Sequence, residues 1–166
     1  MNPVSKVLII QTAFLGDAVL VTSLLEKIRI ESPETAIHLL VRKGNESIFQ
    51  AYTHPSLERV WTYDKSNKRA SWLALRRNFK QESFDKVFVV QRFFGMGLLS
   101  LLIGAKHVLG FAKNPLSWFF RKAYPHPFGN GIHEVERNTL LLSDWLGDKV
   151  YPPFLNPAKV QAPEIG

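Results

Sequence analysis

A chain of 166 residues, 46% hydrophobic and 21% charged, is long enough to bury roughly 70% of its unfolded surface in one core and too short for two catalytic domains. It has no cysteine, which excludes disulfides, thiol catalysis and thiolate metal sites and is compatible with a reducing cytosol. A formal net charge of +7 predicts attraction to anionic partners, whether nucleic acid, an acidic membrane face or a phosphorylated substrate.

The first apolar run, "KVLIIQ" at 6–11, predicts a strand. Gln11 and Asp17 interrupt it and no small-residue cleavage pattern closes it, so it reads as a mature cytosolic start rather than a leader. Helical spacing follows over 17–31, through Val19, Leu20, Ser23, Leu24, Ile28 and Ile30, and "SPET" stops it at Pro33. "AIHLLV" (36–41) predicts a second strand, and Gly44 and Asn45 turn the chain into a helix over 46–52. "RVWTY" (59–63), a helix over 70–81, "DKVFVVQ" (85–91), a helix over 95–102 and "HVLGF" (107–111) continue the alternation. Continuous apolar strands alternating with helices predict an α/β fold: a Rossmann-like, doubly wound, mainly parallel sheet.

After Phe111 the pattern gives way to a stretch rich in aromatics, prolines and basic residues. A last helix is expected from near His133 in "HEVERNTLLLSDWLG". The tail from Tyr151 holds four prolines and no periodicity; it reads as a linker or a peptide laid over the surface. The expected organisation is one domain over 1–150 and a Pro-rich tail or truncated interdomain linker over 151–166. The longest later apolar run, 97–105, is far shorter than the roughly 20 residues of a membrane-spanning helix.

Ligands of open parallel sheets bind outside the carboxyl ends of the strands, so the loops at 11–17, 42–45, 64–69 and 91–97 are expected to share one edge. Asp17 has two readings: a helix cap that accepts first-turn amides, or a carboxylate that takes a proton from a substrate hydroxyl. Lys65, Lys68 and Arg69 are either a solvated helix face or a cation cluster for phosphate or carboxylate groups. No G-x-G-x-x-G or G-x-x-x-x-G-K-[ST] follows the first strand, and "GMG" at 95–97 suits helix packing better than phosphate approach. "WFFRKAY" (118–124) reads first as a core-packing element and second as an attachment to an anionic membrane, where aromatic rings sit at headgroup level and Arg121 and Lys122 meet acidic lipid. Glu134 and Arg137, three apart in the last helix, read as a structural pair. The five histidines show no H-x-x-x-H pairing, and no metal site is expected. A nucleic-acid binder rests on charge alone, without an aromatic-basic motif.

Taken together, "KVLIIQTAFLGDAVLVTSLLEKIR", "FDKVFVVQ", "HVLGF" and "HEVERNTLLL" resemble the N-terminal half of the bacterial heptosyltransferases, glycosyltransferase family 9, over about the first 150 residues. The resemblance implies a GT-B fold whose N-terminal domain holds the acceptor sugar and whose C-terminal domain holds ADP-heptose, in lipopolysaccharide core synthesis. It implies an inverting transfer with no cofactor or metal, Asp17 as general base after Gly16, and a basic loop at Lys65, Lys68 and Arg69, with Lys113 as a further contact to an anionic saccharide or lipid-linked acceptor. It also implies a cytoplasmic protein, with peripheral contact to the inner membrane face as a further expectation. The family's donor-binding half and its diphosphate-binding Lys have no match in these 166 residues. That leaves an excised domain, a binding remnant or one half of a split transferase as alternatives; the Pro-rich tail suits the first.

Overall fold

The structure, a computed structural model, describes residues 5–50, 52, 54–126, 129 and 131–155. Six parallel strands form one sheet in the order β3-β2-β1-β4-β5-β6. They are β1 (Lys6–Gln11), β2 (Ala36–Arg42), β3 (Leu57–Tyr63), β4 (Lys86–Val89), β5 (His107–Phe111) and β6 (Lys122–Tyr124). The first five are those expected from the apolar runs.

Alternate residues of each inner strand feed two cores. Val7 and Ile9 of β1, Ile37, Leu39 and Val41 of β2, and Phe88 of β4 face one helical layer. Leu8, Ile10, Leu40, Val87 and Val89 face the other. That is why these strands are apolar throughout rather than alternating: both faces are covered. On the first face lie α1 (Leu15–Leu20) and α2 (Thr22–Glu31), joined by Val21 in helical conformation, then α3 (Ser47–Gln50), α6 (Glu134–Thr139) and α7 (Ser143–Leu146). On the second lie α4 (Lys68–Glu82) and α5 (Phe94–Leu102). The helix expected over 17–31 therefore begins two residues earlier. It buries Ala18, Val21, Leu24, Leu25 and Ile28, while Ile30 turns to solvent.

The "GMG" segment serves packing at its second glycine. A Cβ on Gly97 would stand 2.5 Å from Asn114 Oδ1, and that amide is fixed by bonds to the Phe93 carbonyl and the Leu116 N–H. Gly110 does the same for the sheet, since Phe120 lies where its Cβ would be. "WFFRKAY" divides: Phe120 and Tyr124 enter the two cores, whereas Trp118 and Phe119 do not. The core-packing expectation holds for half of that segment only.

The tail is laid along α2. Lys27, fully buried, donates to the Lys149 carbonyl at 2.6 Å, Tyr151 Oη donates to Glu31 at 2.5 Å, and the Phe154 N–H donates to Thr22 Oγ1 at 3.0 Å. From Tyr151 to Phe154 the chain thus runs from the last residue of α2 back to its first. Of the tail read from sequence, 156–166 lie outside the described residues.

Candidate active site

Strand order reverses between β1 and β4, the place where an open parallel sheet leaves a crevice between diverging loops. A cleft of about 270 Å³ opens there, lined by residues of the β1, β4 and β5 exit loops and of α6. The exit loops are tied to one another in series. Gln91 joins β4 to β1 through Thr12, Asn45 Nδ2 reaches the Ala13 carbonyl at 3.5 Å, Lys43 pairs with Asp64 at 2.9 Å, Lys65 Nζ lies 5.9 Å from the Phe93 ring centroid and Asn114 Nδ2 bonds the Phe93 carbonyl at 3.1 Å. The expected common edge is formed by contact as well as by topology.

Three successive amides of the first loop are taken by side chains: Thr12 N–H by Gln91 Oε1 at 2.8 Å, Ala13 N–H by Gln11 Oε1 at 3.2 Å and Phe14 N–H by Asp17 Oδ2 at 3.2 Å. These three donors are therefore not free to cradle a phosphate. Asp17 is the third residue of α1 and reaches back to the residue before the helix, the carboxylate half of a capping box. It is also half-exposed on the wall of the cleft. Cap and cleft carboxylate, the two readings of this residue, coexist in one geometry, because one oxygen satisfies the amide and the other is left to the cleft.

Of the expected contacts, Lys113 lines the same cleft. Its ammonium pKa is lowered by desolvation first and then by the charges of Arg92 and Arg137, so cations crowd this wall. Gly16 is exposed beside Asp17, with nothing within 4 Å of where its Cβ would be; packing within the chain does not demand a glycine there. Lys65 reaches toward Phe93 at the cleft's rim, its pKa lowered by partial burial and by Arg42 and Lys68. Lys68 and Arg69 lie apart, on the first turn of α4, over a separate groove with Tyr63, Trp72 and Leu73. The structure thus brings Asp17 and Lys113 together, sets Lys65 at the margin and does not bring Lys68 or Arg69 to the cleft.

Gln91, Arg92, Phe93 and His126 are among the lining residues that carry no site role in the sequence. The first three lie in the β4 exit loop, and the signal for them is the strand-order reversal beside β1, which needs the topology to be known. His126 meets the Phe111 ring edge-on at 4.6 Å, and its Nε2 is 3.8 Å from Glu134. Its pKa is lowered by burial first, against the pull of Glu134 and with the push of Arg137 and Lys113. Glu134, at the start of α6, also pairs with Arg137, as the spacing of three predicts. His133 caps that helix, its Nδ1 accepting the Val135 N–H at 3.2 Å. Among the described residues no group of three His, Asp or Glu side chains is arranged to hold a metal ion, and no described helix is long and apolar enough to cross a membrane.

No protein-family model and no curated protein matches the chain by sequence. Solved structures match its fold. A family 9 glycosyl transferase from Veillonella parvula superposes with a TM-score of 0.73 at 19% identity, over 90% of this chain and 44% of that one. Escherichia coli heptosyltransferase WaaC with ADP gives 0.67 at 22% identity, over 87% and 48%. Escherichia coli ADP-heptose lps heptosyltransferase II gives 0.68 at 16% identity, over 96% and 47%. The chain spans about half the length of each, and over that half it has the Rossmann-like fold of these GT-B glycosyltransferases.

Proposed function

We propose that this chain is the acceptor-binding half of an inverting, metal-independent glycosyltransferase that acts on a cell-envelope saccharide, with ADP-heptose or a similar nucleotide sugar bound by a second half. Asp17 is the general base: its free oxygen takes the proton of the acceptor hydroxyl as that oxygen attacks the anomeric carbon and the nucleoside diphosphate departs. Lys113 and Arg92 hold phosphate or carboxylate groups of the acceptor, and Lys65 contacts its outer part. Gly16 leaves room for the sugar beside the carboxylate.

The observation that carries this reading is a single cleft, at the strand-order reversal, in which one carboxylate with an uncommitted oxygen stands among cations. The shared fold with structures of heptosyltransferases also supports it.

Titration of the ¹⁵N-labelled chain with an acidic, phosphate-bearing saccharide acceptor tests it. Amide shifts should cluster on the loops of Ala13, Asp17, Arg92 and Lys113. No shifts, or shifts confined to the Lys68 and Arg69 groove, would reject the cleft as the acceptor site.

A further inference from the structure

Phe14 and Phe93 hold equivalent places on the two loops between which the cleft opens. Thr12 and Gln91, which tie those loops together, each stand two residues before one of them. Phe14 directly precedes α1 and Phe93 directly precedes α5, both in extended conformation at φ −79°. At this position Ser, Thr, Asp or Asn would accept a first-turn amide; a benzyl side chain accepts none. Both rings are also open to water, at 74% and 50% exposure, and both line the cleft. A polar residue would serve the helix start and the surface better at either place. Two apolar residues in a pair of matched cap positions break the local rule in the way that binding sites do.

The backbone that carries each ring is held. Phe14 donates its N–H to Asp17 at 3.2 Å, and its carbonyl accepts the Ala18 N–H at 3.1 Å. The Phe93 carbonyl accepts from the Gly97 N–H at 3.2 Å and from Asn114 Nδ2 at 3.1 Å. Aromatic side chains on a fixed backbone lose little conformational freedom when a ligand covers them. They suit a ligand with an apolar face and polar edges. A pyranose ring is such a body: its C–H groups make a face that lies against an aromatic ring, while hydroxyls and acidic substituents project around it. Polar groups of this edge stand beside both rings. Asp17 is bonded to the Phe14 N–H, Arg92 adjoins Phe93 on the cleft wall, and Lys65 Nζ is 5.9 Å from the Phe93 ring centroid.

We infer that Phe14 and Phe93 are aromatic platforms that receive the C–H faces of the acceptor's pyranose rings and position its hydroxyl toward Asp17. The inference rests on the proposed function, which supplies the saccharide. It is tested by NMR titration of the 166-residue chain with de-acylated lipopolysaccharide core, an acidic, phosphate-bearing oligosaccharide. Phe14→Ser and Phe93→Ala should each weaken binding about three- to tenfold, whereas Phe14→Tyr, which keeps the ring, should bind as the wild type does. Phe14→Ser should at the same time raise the melting temperature, because it gives α1 a capping hydroxyl beside the bond that Asp17 already makes. Saturation of the phenylalanine ring protons should transfer to the oligosaccharide C–H protons, less so in each truncated variant. A wild-type chain without shifts at Asp17 and Lys113 would reject the proposed function and the inference together. Wild-type binding in the cleft that Phe14→Ser and Phe93→Ala keep within about twofold, or that Phe14→Tyr loses as fully as Phe14→Ser, would overturn the inference alone. So would a lowered melting temperature in Phe14→Ser, which would make that ring a structural element.

Discussion

The side-chain amide of Gln91 holds Thr12 at both of its polar groups: Oε1 accepts the Thr12 N–H at 2.8 Å, and Nε2 donates to the hydroxyl at 2.8 Å. Both residues are buried; Thr12 follows β1 directly and Gln91 is the second residue past β4. The strands separate at this point, so backbone pairing no longer fixes the loop that carries Asp17; the Gln91 amide takes over that task. In Gln91→Ala the buried Thr12 amide loses its partner, which costs about 1–3 kcal/mol. Urea unfolding should show that loss, and acceptor affinity should fall with it because the loop is no longer held.

The glycines of the first helix and of α5 should respond in opposite ways. Gly97→Ala drives a methyl into Asn114, whose amide has no other position that keeps both of its bonds, and should destabilise by about 1–3 kcal/mol. Gly16→Ala meets open space and replaces a helical glycine, so it should stabilise by about 0.5–1 kcal/mol. Under the proposed function Gly16→Ala should nevertheless weaken acceptor binding, since the new methyl stands where the sugar approaches. Thermal melts and acceptor titrations on the same two variants separate packing from function. A Gly16→Ala protein with unaltered acceptor affinity would remove Gly16 from the site.

Stability should decline in mild acid through His38. Its Nδ1 accepts the Trp61 Nε1–H at 3.0 Å, which leaves the ring proton on Nε2, 3.4 Å from Glu58. Burial lowers its pKa below the ordinary 6.5, against the pull of Glu82 and Glu58 and with the push of Lys6. A depressed folded-state pKa means that the unfolded chain binds the proton first. The stabilisation is therefore complete above pH 6.5 and is lost as pH falls from there through the folded value, with a slope of at most about 1.4 kcal/mol per pH unit for one proton. His54 and His126 are shifted the same way, so His38→Gln, which keeps an acceptor for Trp61, should reduce the slope without abolishing it. Urea unfolding between pH 8 and 5, compared for the two proteins, measures the difference; identical slopes would exclude His38 as a source.

Much of this architecture is legible before any coordinates. The strands β1 and β5 fall on their apolar runs because both are inner strands covered on both faces, where the hydrophobic signal is continuous. β6 is not legible: three residues long, at the sheet edge, with Lys122 and Ala123 exposed, it carries no period to detect. Ile30 faces solvent because it stands two positions, about 200° of helical rotation, past Ile28, away from the face of Val21, Leu24, Leu25 and Ile28. In the site, Asp17 and Lys113 can be singled out from local pattern, since each follows a strand. Arg92 follows a strand too, but its importance comes from β4 lying beside β1, a nonlocal fact that no spacing encodes. Lys68 and Arg69 show the converse: a cation cluster near a strand exit whose side chains lie on the first turn of α4, over a different groove.

The most direct test of the proposed function is the turnover of Asp17→Asn in a polypeptide or complex that joins this chain to a nucleotide-sugar-binding half, as that proposal requires. Asparagine keeps an oxygen for the Phe14 N–H, so the cap and the fold should persist, with the melting temperature and acceptor KM little changed. If Asp17 is the base, kcat should fall roughly 100-fold or more. Near-normal turnover by a folded Asp17→Asn enzyme would contradict the account and leave Asp17 as a helix cap alone.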